Sequence, residues 1–300
     1  VGPNAGHTVE VGEKKYGVRM VPSGFIYPYA KLMIGSGVLV DPRVFANELK
    51  VLQCRDHTFI DGRCGIIEED HIYKDKHDDH LSKTVGSTGS GCGPANSDRV
   101  MRMARLAKDV PELAPYITDV AQNVNDAIDV GESVVIEGTQ GFGISLYYGN
   151  YPFVTSKDTS ASQMAADVGV GPTKINDVVV VFKAFPTRVG EGPFPTELTH
   201  DQSIAMGIQE FGTVTHRERR IGTWDGKMAR YSAMINGCTA IAITGVDHID
   251  KDVFGVKEYG KLTPKVREFL EQIESDTGCP VCIISTGPEQ SQIIDIRSEL

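Results

Sequence analysis

The chain has 300 residues, 40% of them hydrophobic and 23% charged, with a formal net charge of -10. That balance describes a globular protein with enough apolar residues for a large core, and it disfavours a sequence-independent nucleic-acid binder, which needs basic surface. No apolar run approaches the roughly 18 residues a membrane span requires. The six cysteines (Cys54, Cys64, Cys92, Cys238, Cys279 and Cys282) are scattered. Cys279 and Cys282 are the only close pair and have no second pair to complete a zinc ribbon, so reduced thiols and a cytoplasmic location are expected.

The chain opens on Val1-Gly2-Pro3-Asn4-Ala5-Gly6-His7-Thr8, directly inside a motif. Gly2 and Gly6 would let backbone approach a ligand, Asn4 offers a donor and an acceptor, and His7 is a side chain that can give or take a proton in catalysis. An ordinary turn with a solvated histidine is the competing reading. Residues 31–40 read as a short strand, Leu32-Met33-Ile34, before a Gly-Ser-Gly turn. Asp41-Pro42 then opens a helix as N-cap and first-position proline. The 71–81 segment, with His71, His77, His80, Asp78 and Asp79, reads as a solvated helix or loop, because no metal-ligand spacing stands out.

Residues 86–94 form a loop rich in glycine and hydroxyls that could cradle a phosphate or simply start a helix; no G-x-x-x-x-G-K-[ST] loop occurs in the chain. Residues 97–108 are expected to be helical on Val100, Met103, Ala104 and Ala107, with Arg99, Arg102 and Arg105 on another face. A stronger helical pattern runs from Ile117 through Val120, Ala121, Val124 and Ile128, and Gly131 ends it. Four continuous apolar runs follow, at 133–136, 178–182, 238–244 and 281–284. Amphipathic helices lie among them, one carrying Met228, Tyr231, Met234 and Ile235, the other Val266, Phe269, Leu270 and Ile273. Apolar strands alternating with helices indicate an α/β fold, with a mostly parallel central sheet covered by helices on both faces and long insertions in one domain.

Ligands in such sheets sit beyond the carboxyl ends of strands. Polar motifs stand there: Glu137-Gly138-Thr139-Gln140-Gly141, Gly245-Val246-Asp247 and Ser285-Thr286-Gly287-Pro288. Asp247 is a candidate reader of guanine, whose N1–H and exocyclic amine both donate; a turn cap is the alternative. The 213–220 segment holds Arg217, Arg219 and Arg220 with Thr213, Thr215 and His216, a concentration suited to an anionic ligand in an acidic chain.

These segments, with Tyr151-Pro152-Phe153-Val154-Thr155-Ser156, Thr187-Arg188-Val189-Gly190 and Gly192-Pro193-Phe194-Pro195-Thr196-Glu197, stand in one order along nearly the whole chain. In that order the sequence resembles the adenylosuccinate synthetase family, most of all its shorter archaeal form. The resemblance implies a P-loop-NTPase-like fold and a two-step ligation. GTP phosphorylates O6 of IMP, and L-aspartate then displaces the phosphate to give adenylosuccinate. It implies His7 as general acid with Gln140 beside the reacting oxygen. It places IMP on Asn4, Ala5, Gly6, His7, Thr88, Arg102, Gln140, Thr155 and Arg217, and aspartate on Thr213, Val214, Thr215, Arg217 and Arg219. GTP would meet Gly6, His7, Thr8, Arg219, Gly245, Val246, Asp247, Ser285, Thr286 and Gly287. The Gly6 carbonyl matches a Mg2+ ligand, and Arg102 matches an arginine that reaches the partner subunit's IMP, implying a homodimer.

The sequence departs from the family pattern at four places. The family's opening strand and Gly-Asp-Glu-Gly-Lys-Gly-Lys phosphate loop, which carries the catalytic base, do not appear in this sequence. His216 replaces a glycine, Glu218 an arginine, and Gly245 a lysine common in the family. Two other readings therefore stand beside the first: a phage-type relative ligating aspartate to dGMP, and a non-catalytic purine-nucleotide-binding protein.

Overall fold

The computed structural model describes residues 2–211 and 218–297. Its contacts divide the chain into two compact units, one of residues up to Thr8 plus Gly17–Ile175, the other of Val9–Tyr16 plus Asn176–Leu300. The division falls inside a hairpin of β1 (His7–Val11) and β2 (Lys14–Val18).

In the first unit, β3 (Leu32–Ile34), β5 (Thr58–Asp61) and β7 (Ile117–Thr118) make a parallel sheet in the order β3-β5-β7, and β4 (Leu39–Val40) runs parallel to β6 (Gly65–Ile66). Helix α1 (Pro42–Leu52) begins as expected: the Asp41 carboxylate accepts from the Arg43 and Val44 amides, satisfying donors the helix cannot, and Pro42 needs no such bond. Helix α4 (Val120–Asp129), capped by Asp119, buries Val120 and Val124 against Val170, with Met33, Ile136 and Ile175 packed around them. Helices α2 (Glu69–His77), α3 (Cys92–Met101) and α5 (Ala161–Val168) complete the unit.

Three expectations fail here. Residues 133–136 are not a strand: Ile136 packs against the α4 cluster, but Val135 is 90% exposed, and no strand pairs with the segment among the described residues. An apolar β-branched run favours extended backbone, whereas a strand also needs a neighbour to take its hydrogen bonds. The 97–108 helix stops at Met101, and Arg102 caps it with φ +64°, so Arg99, Arg102 and Arg105 share no helical face and Val100 and Met103 are exposed. Helix α2 is not simply solvated, since His71 and Asp75 are buried on its inner side. His71 Nε2 lies 3.0 Å from Asp98 Oδ2 of α3, and Asp75 accepts from the Gly91 amide at 2.8 Å.

In the second unit, β8 (Val179–Lys183), β11 (Ala240–Thr244) and β12 (Val281–Ser285) are parallel, and β13 (Ile293–Asp295) adds antiparallel to β12, giving the order β13-β12-β11-β8. The α/β class is the one expected. Helix α7 (Gly226–Asn236) leads into β11, and α8 (Pro264–Thr277) connects β11 to β12. Ile241, Ile243, Val266, Leu270, Ile273, Val281 and Ile284 form the core between sheet and helix. The strand β8 is less buried than its apolar run suggests, with Val181 65% exposed, because it stands at the sheet edge. A short antiparallel pair, β9 (Thr187–Arg188) with β10 (Arg220–Ile221), and α6 (His200–Met206) lie beside these elements.

Candidate functional site

In the first unit four segments converge. Gly2 packs so closely on α3 that a Cβ there would stand 3.0 Å from Cys92 Sγ, and Asn4 Nδ2 donates to Thr155 Oγ1 at 3.3 Å. From α3, Asn96 donates to Ser156 Oγ at 2.9 Å. The loop leading into α3 is held at its far end by Asp75 through the Gly91 amide, and Thr88 exchanges a hydrogen bond with Ser90 at 2.8 Å. The Thr155 segment is held in turn: its amide donates to Ile144 O, and Lys157 reaches both Gly37 O, at 2.5 Å, and Asp167 Oδ1, at 2.6 Å. Gly37 has to be glycine, because a Cβ would fall 2.0 Å from that carboxylate oxygen.

His7 Nδ1 stands 2.9 Å from Glu137 Oε1, and the other oxygen of Glu137 accepts from the Ser23 amide at 3.0 Å. Burial pushes the Glu137 carboxyl up, but the bond and charge of His7 together with the Ser23 donors outweigh it and hold the group below the usual carboxylate range. An ionised Glu137 accepts the hydrogen on Nδ1, leaving Nε2 as the ring nitrogen the carboxylate does not engage. Asn4 Oδ1 and Gln140 Oε1 are buried acceptors with no hydrogen-bond partner. Buried polar atoms are nearly always satisfied, so these two orphaned acceptors are candidates to receive donors from a ligand.

Arg102 is not in this cluster. It is exposed at the C-terminal end of α3, whereas the Thr88 loop enters at the other end of this helix, about 15 Å long.

The second unit gathers its candidates at the carboxyl ends of neighbouring parallel strands. Gly245, at φ +76°, and Val246 and Asp247 follow β11; Ser285, Thr286 and Gly287 follow β12. Ser285 Oγ donates to Gly287 O at 2.7 Å, and the buried Thr286 hydroxyl donates to Val256 O at 2.8 Å, so the Thr286 side chain holds the loop itself. Beyond β8, Lys183 Nζ bonds both oxygens of Glu210, at 2.7 and 2.5 Å, and Arg219 Nη1 lies 3.2 Å from Thr187 Oγ1 and 3.5 Å from Glu210. Burial pulls the Lys183 amine below its ordinary range, more than Glu210 restores. Arg219 Nε is buried without a partner. The expected contacts at Thr213, Val214, Thr215 and Arg217, with the substitution at His216, lie outside the described residues.

Sequence reasoning missed Glu137 as the partner of His7. The signal was there, as the acid of the Glu137-Gly138-Thr139-Gln140-Gly141 motif, but only folding shows which histidine it meets.

The family model described as adenylosuccinate synthetase matches residues 1–111 and 103–252. An adenylosuccinate synthetase of Archaeoglobus fulgidus is 62% identical over 299 residues, covering 100% of this chain and 89% of its own. The chain belongs to the adenylosuccinate synthetase family. The Methanocaldococcus jannaschii adenylosuccinate synthetase is 57% identical over 303 residues, covering 100% of this chain and 88% of its own. Membership makes the protein a ligase that forms a carbon–nitrogen bond in purine nucleotide biosynthesis, and the archaeal short form fits it. The fold agrees with solved structures at lower identity. A fully ligated adenylosuccinate synthetase from Plasmodium falciparum matches with a TM-score of 0.91 at 23% identity, over 98% of this chain and 92% of that one. A cyanophage S-2L succinoaminodeoxyadenylate synthetase, bound to dGMP and dATP as an energy donor, matches with a TM-score of 0.82 at 23% identity, over 98% and 85%.

Proposed function

We propose that the protein joins L-aspartate to IMP at the expense of GTP, with His7 acting on O6 of the purine. The observation that carries this reading is the His7–Glu137 pair in the same unit as two orphaned buried acceptors, Asn4 Oδ1 and Gln140 Oε1. A purine carbonyl oxygen is a poor leaving group until it is phosphorylated. As the γ-phosphate moves onto O6, an imidazole held by a carboxylate supplies a donor where charge develops, and the amino group of aspartate then displaces the phosphate. Asn4, Thr88, Gln140 and Thr155 surround IMP in this reading, and Arg217 completes its contacts.

GTP is assigned to the strand ends of the second unit, with Asp247 accepting from guanine and Arg219 supplying positive charge. Among the described residues no group of three or more His, Cys, Asp or Glu side chains could hold a metal ion. In this reading the Gly6 carbonyl would be a protein ligand of Mg2+. Such an ion would neutralise phosphate charge. A homodimer, with Arg102 serving the partner's IMP, and a cytoplasmic location belong to the same reading. Among the described residues no helix is long and apolar enough to cross a membrane.

The test is aspartate-dependent phosphate release from GTP with IMP or dGMP as acceptor. Turnover on IMP with none on dGMP is expected. Turnover on dGMP alone would overturn the choice of purine.

A further inference from the structure

Glu48 lies on α1 and is 7% exposed. Carboxylates are seldom buried unless paired, and the partners of this one are three consecutive backbone amides. Arg19 N donates at 2.7 Å, Met20 N at 2.9 Å and Val21 N at 2.9 Å. Successive amides pointing at one anion form a concavity of the kind that binds phosphate elsewhere; here the chain fills it with its own carboxylate.

The segment so held runs straight into the site. Pro22 follows, with φ −56° and ψ 146°, its ring fixing the first angle. Ser23 comes next, and its amide donates to Glu137 Oε2 at 3.0 Å. Glu137 Oε1 meets His7 Nδ1 at 2.9 Å. One line of hydrogen bonds and stiff backbone therefore leads from Glu48 through 19–23 to Glu137 and the imidazole.

We propose that Glu48 is a positioning residue for the His7–Glu137 pair, setting the place of the Ser23 amide and with it the orientation of the carboxylate that holds the imidazole. The proposal rests on the reading of His7 as the group that acts on O6. Releasing Glu48 would free three amides, let Ser23 drift, and loosen the acceptor that fixes His7. Small displacements of a positioned group cost rate more than binding.

The experiment compares Glu48→Gln, Glu137→Gln, the double variant and His7→Asn in steady-state assays with IMP, GTP and aspartate. The Glu48→Gln change places an amide NH2 donor against backbone donors, and kcat is expected to fall about 10- to 100-fold while KM for IMP and GTP stays within about twofold. In the Glu137→Gln background the same change should lower kcat by less than about twofold, since coupled residues are not additive. A second variant removes the Ser23 amide together with the Ser23 hydroxyl, which also bonds Glu137. Ser23→Pro suits the first position of its short helix, and Pro22 already has the extended conformation a following proline requires. It should reproduce the kcat loss in a protein whose Tm is unchanged, which keeps the proposal testable should Glu48→Gln not fold. Equal losses from Glu48→Gln with and without Glu137, a rise in KM at constant kcat, or full activity of Ser23→Pro would overturn the proposal. Failure of the underlying reading looks different: His7→Asn would itself retain kcat.

Discussion

The Nδ1 atom of His7 and the Oε1 atom of Glu137 stand 2.9 Å apart, bringing a residue of the opening motif onto the acid of a motif in the middle of the chain. The contact holds the ring through Nδ1 and leaves Nε2 as the nitrogen the carboxylate does not engage. His7→Asn should therefore lower kcat by about 10²–10⁴-fold, the usual contribution of one positioned acid. IMP affinity should change less, because charge on O6 is greatest in the transition state. Equilibrium titration with IMP and turnover at saturation on the same variant check this. Lost affinity with intact turnover would mean that His7 only shapes its loop.

Glu137 should leave a signature in acid. Its carboxyl is held below the ordinary value of 4.5 because His7 and Ser23 outweigh the cost of burial. A depressed carboxyl contributes stability that is present above the unfolded value and lost as pH falls through the folded one. The stability advantage of the native protein over Glu137→Gln should thus be full near pH 7 and shrink as pH drops below about 4.5. Urea unfolding at several pH values measures it, and an advantage that grows in acid would contradict the assignment.

Lys157 and Asp167 make the pin beneath the Thr155 segment, their side chains 16% and 6% exposed. Lys157→Met leaves a buried carboxylate without its cation, which costs about 3–5 kcal/mol in such sites. Replacing Asp167 as well, by Leu, should recover part of that loss. Chemical denaturation of the native protein and the two variants gives the comparison, and a Lys157→Met change costing under about 1 kcal/mol would place the pair among ordinary surface bridges.

Asp247 should discriminate among nucleotides. Asp247→Asn puts a donor opposite donors of guanine, and kcat/KM for GTP should fall about 100-fold or more. Inosine triphosphate lacks the exocyclic amine and should lose less. Equal losses with both nucleotides would show that Asp247 does not meet that amine.

Arg102 is held in a left-handed conformation, φ +64°, that few non-glycine residues adopt, and it is exposed at the C-terminal end of α3. If it serves a partner's IMP, mixing Arg102→Ala with His7→Asn protein should restore up to about a quarter of native activity through hybrid dimers with one intact site. Activity of the mixture no higher than that of either parent would place Arg102 in its own subunit's service or in none.

Local rules carried the sequence a long way. Asp41-Pro42 marked the start of α1, the 3.6-residue pattern located α8 with its buried face, and apolar runs located β8, β11 and β12 to within a residue or two. Helix α4 starts only at Val120, because Ile117 pairs in β7, and α7 buries Ala229, Ser232 and Ala233 while Met228, Tyr231 and Met234 of its expected stripe are exposed. The candidate motifs were legible because glycines, hydroxyls and single ionisable groups cluster in them, as in Gly245-Val246-Asp247 and Ser285-Thr286-Gly287 at the ends of β11 and β12. The tertiary structure decided which of these groups touch. A run such as 133–136 reports that its residues favour extended backbone, but whether it is a strand depends on a neighbour. Helix α3 ends at Arg102 although the apolar spacing continues, since spacing describes a face and not what covers it. Above all, the fold chose Glu137 for His7 and three amides for Glu48. A buried carboxylate is tolerated only where donors converge on it, and convergence of distant segments is a property of three-dimensional packing that no local pattern encodes.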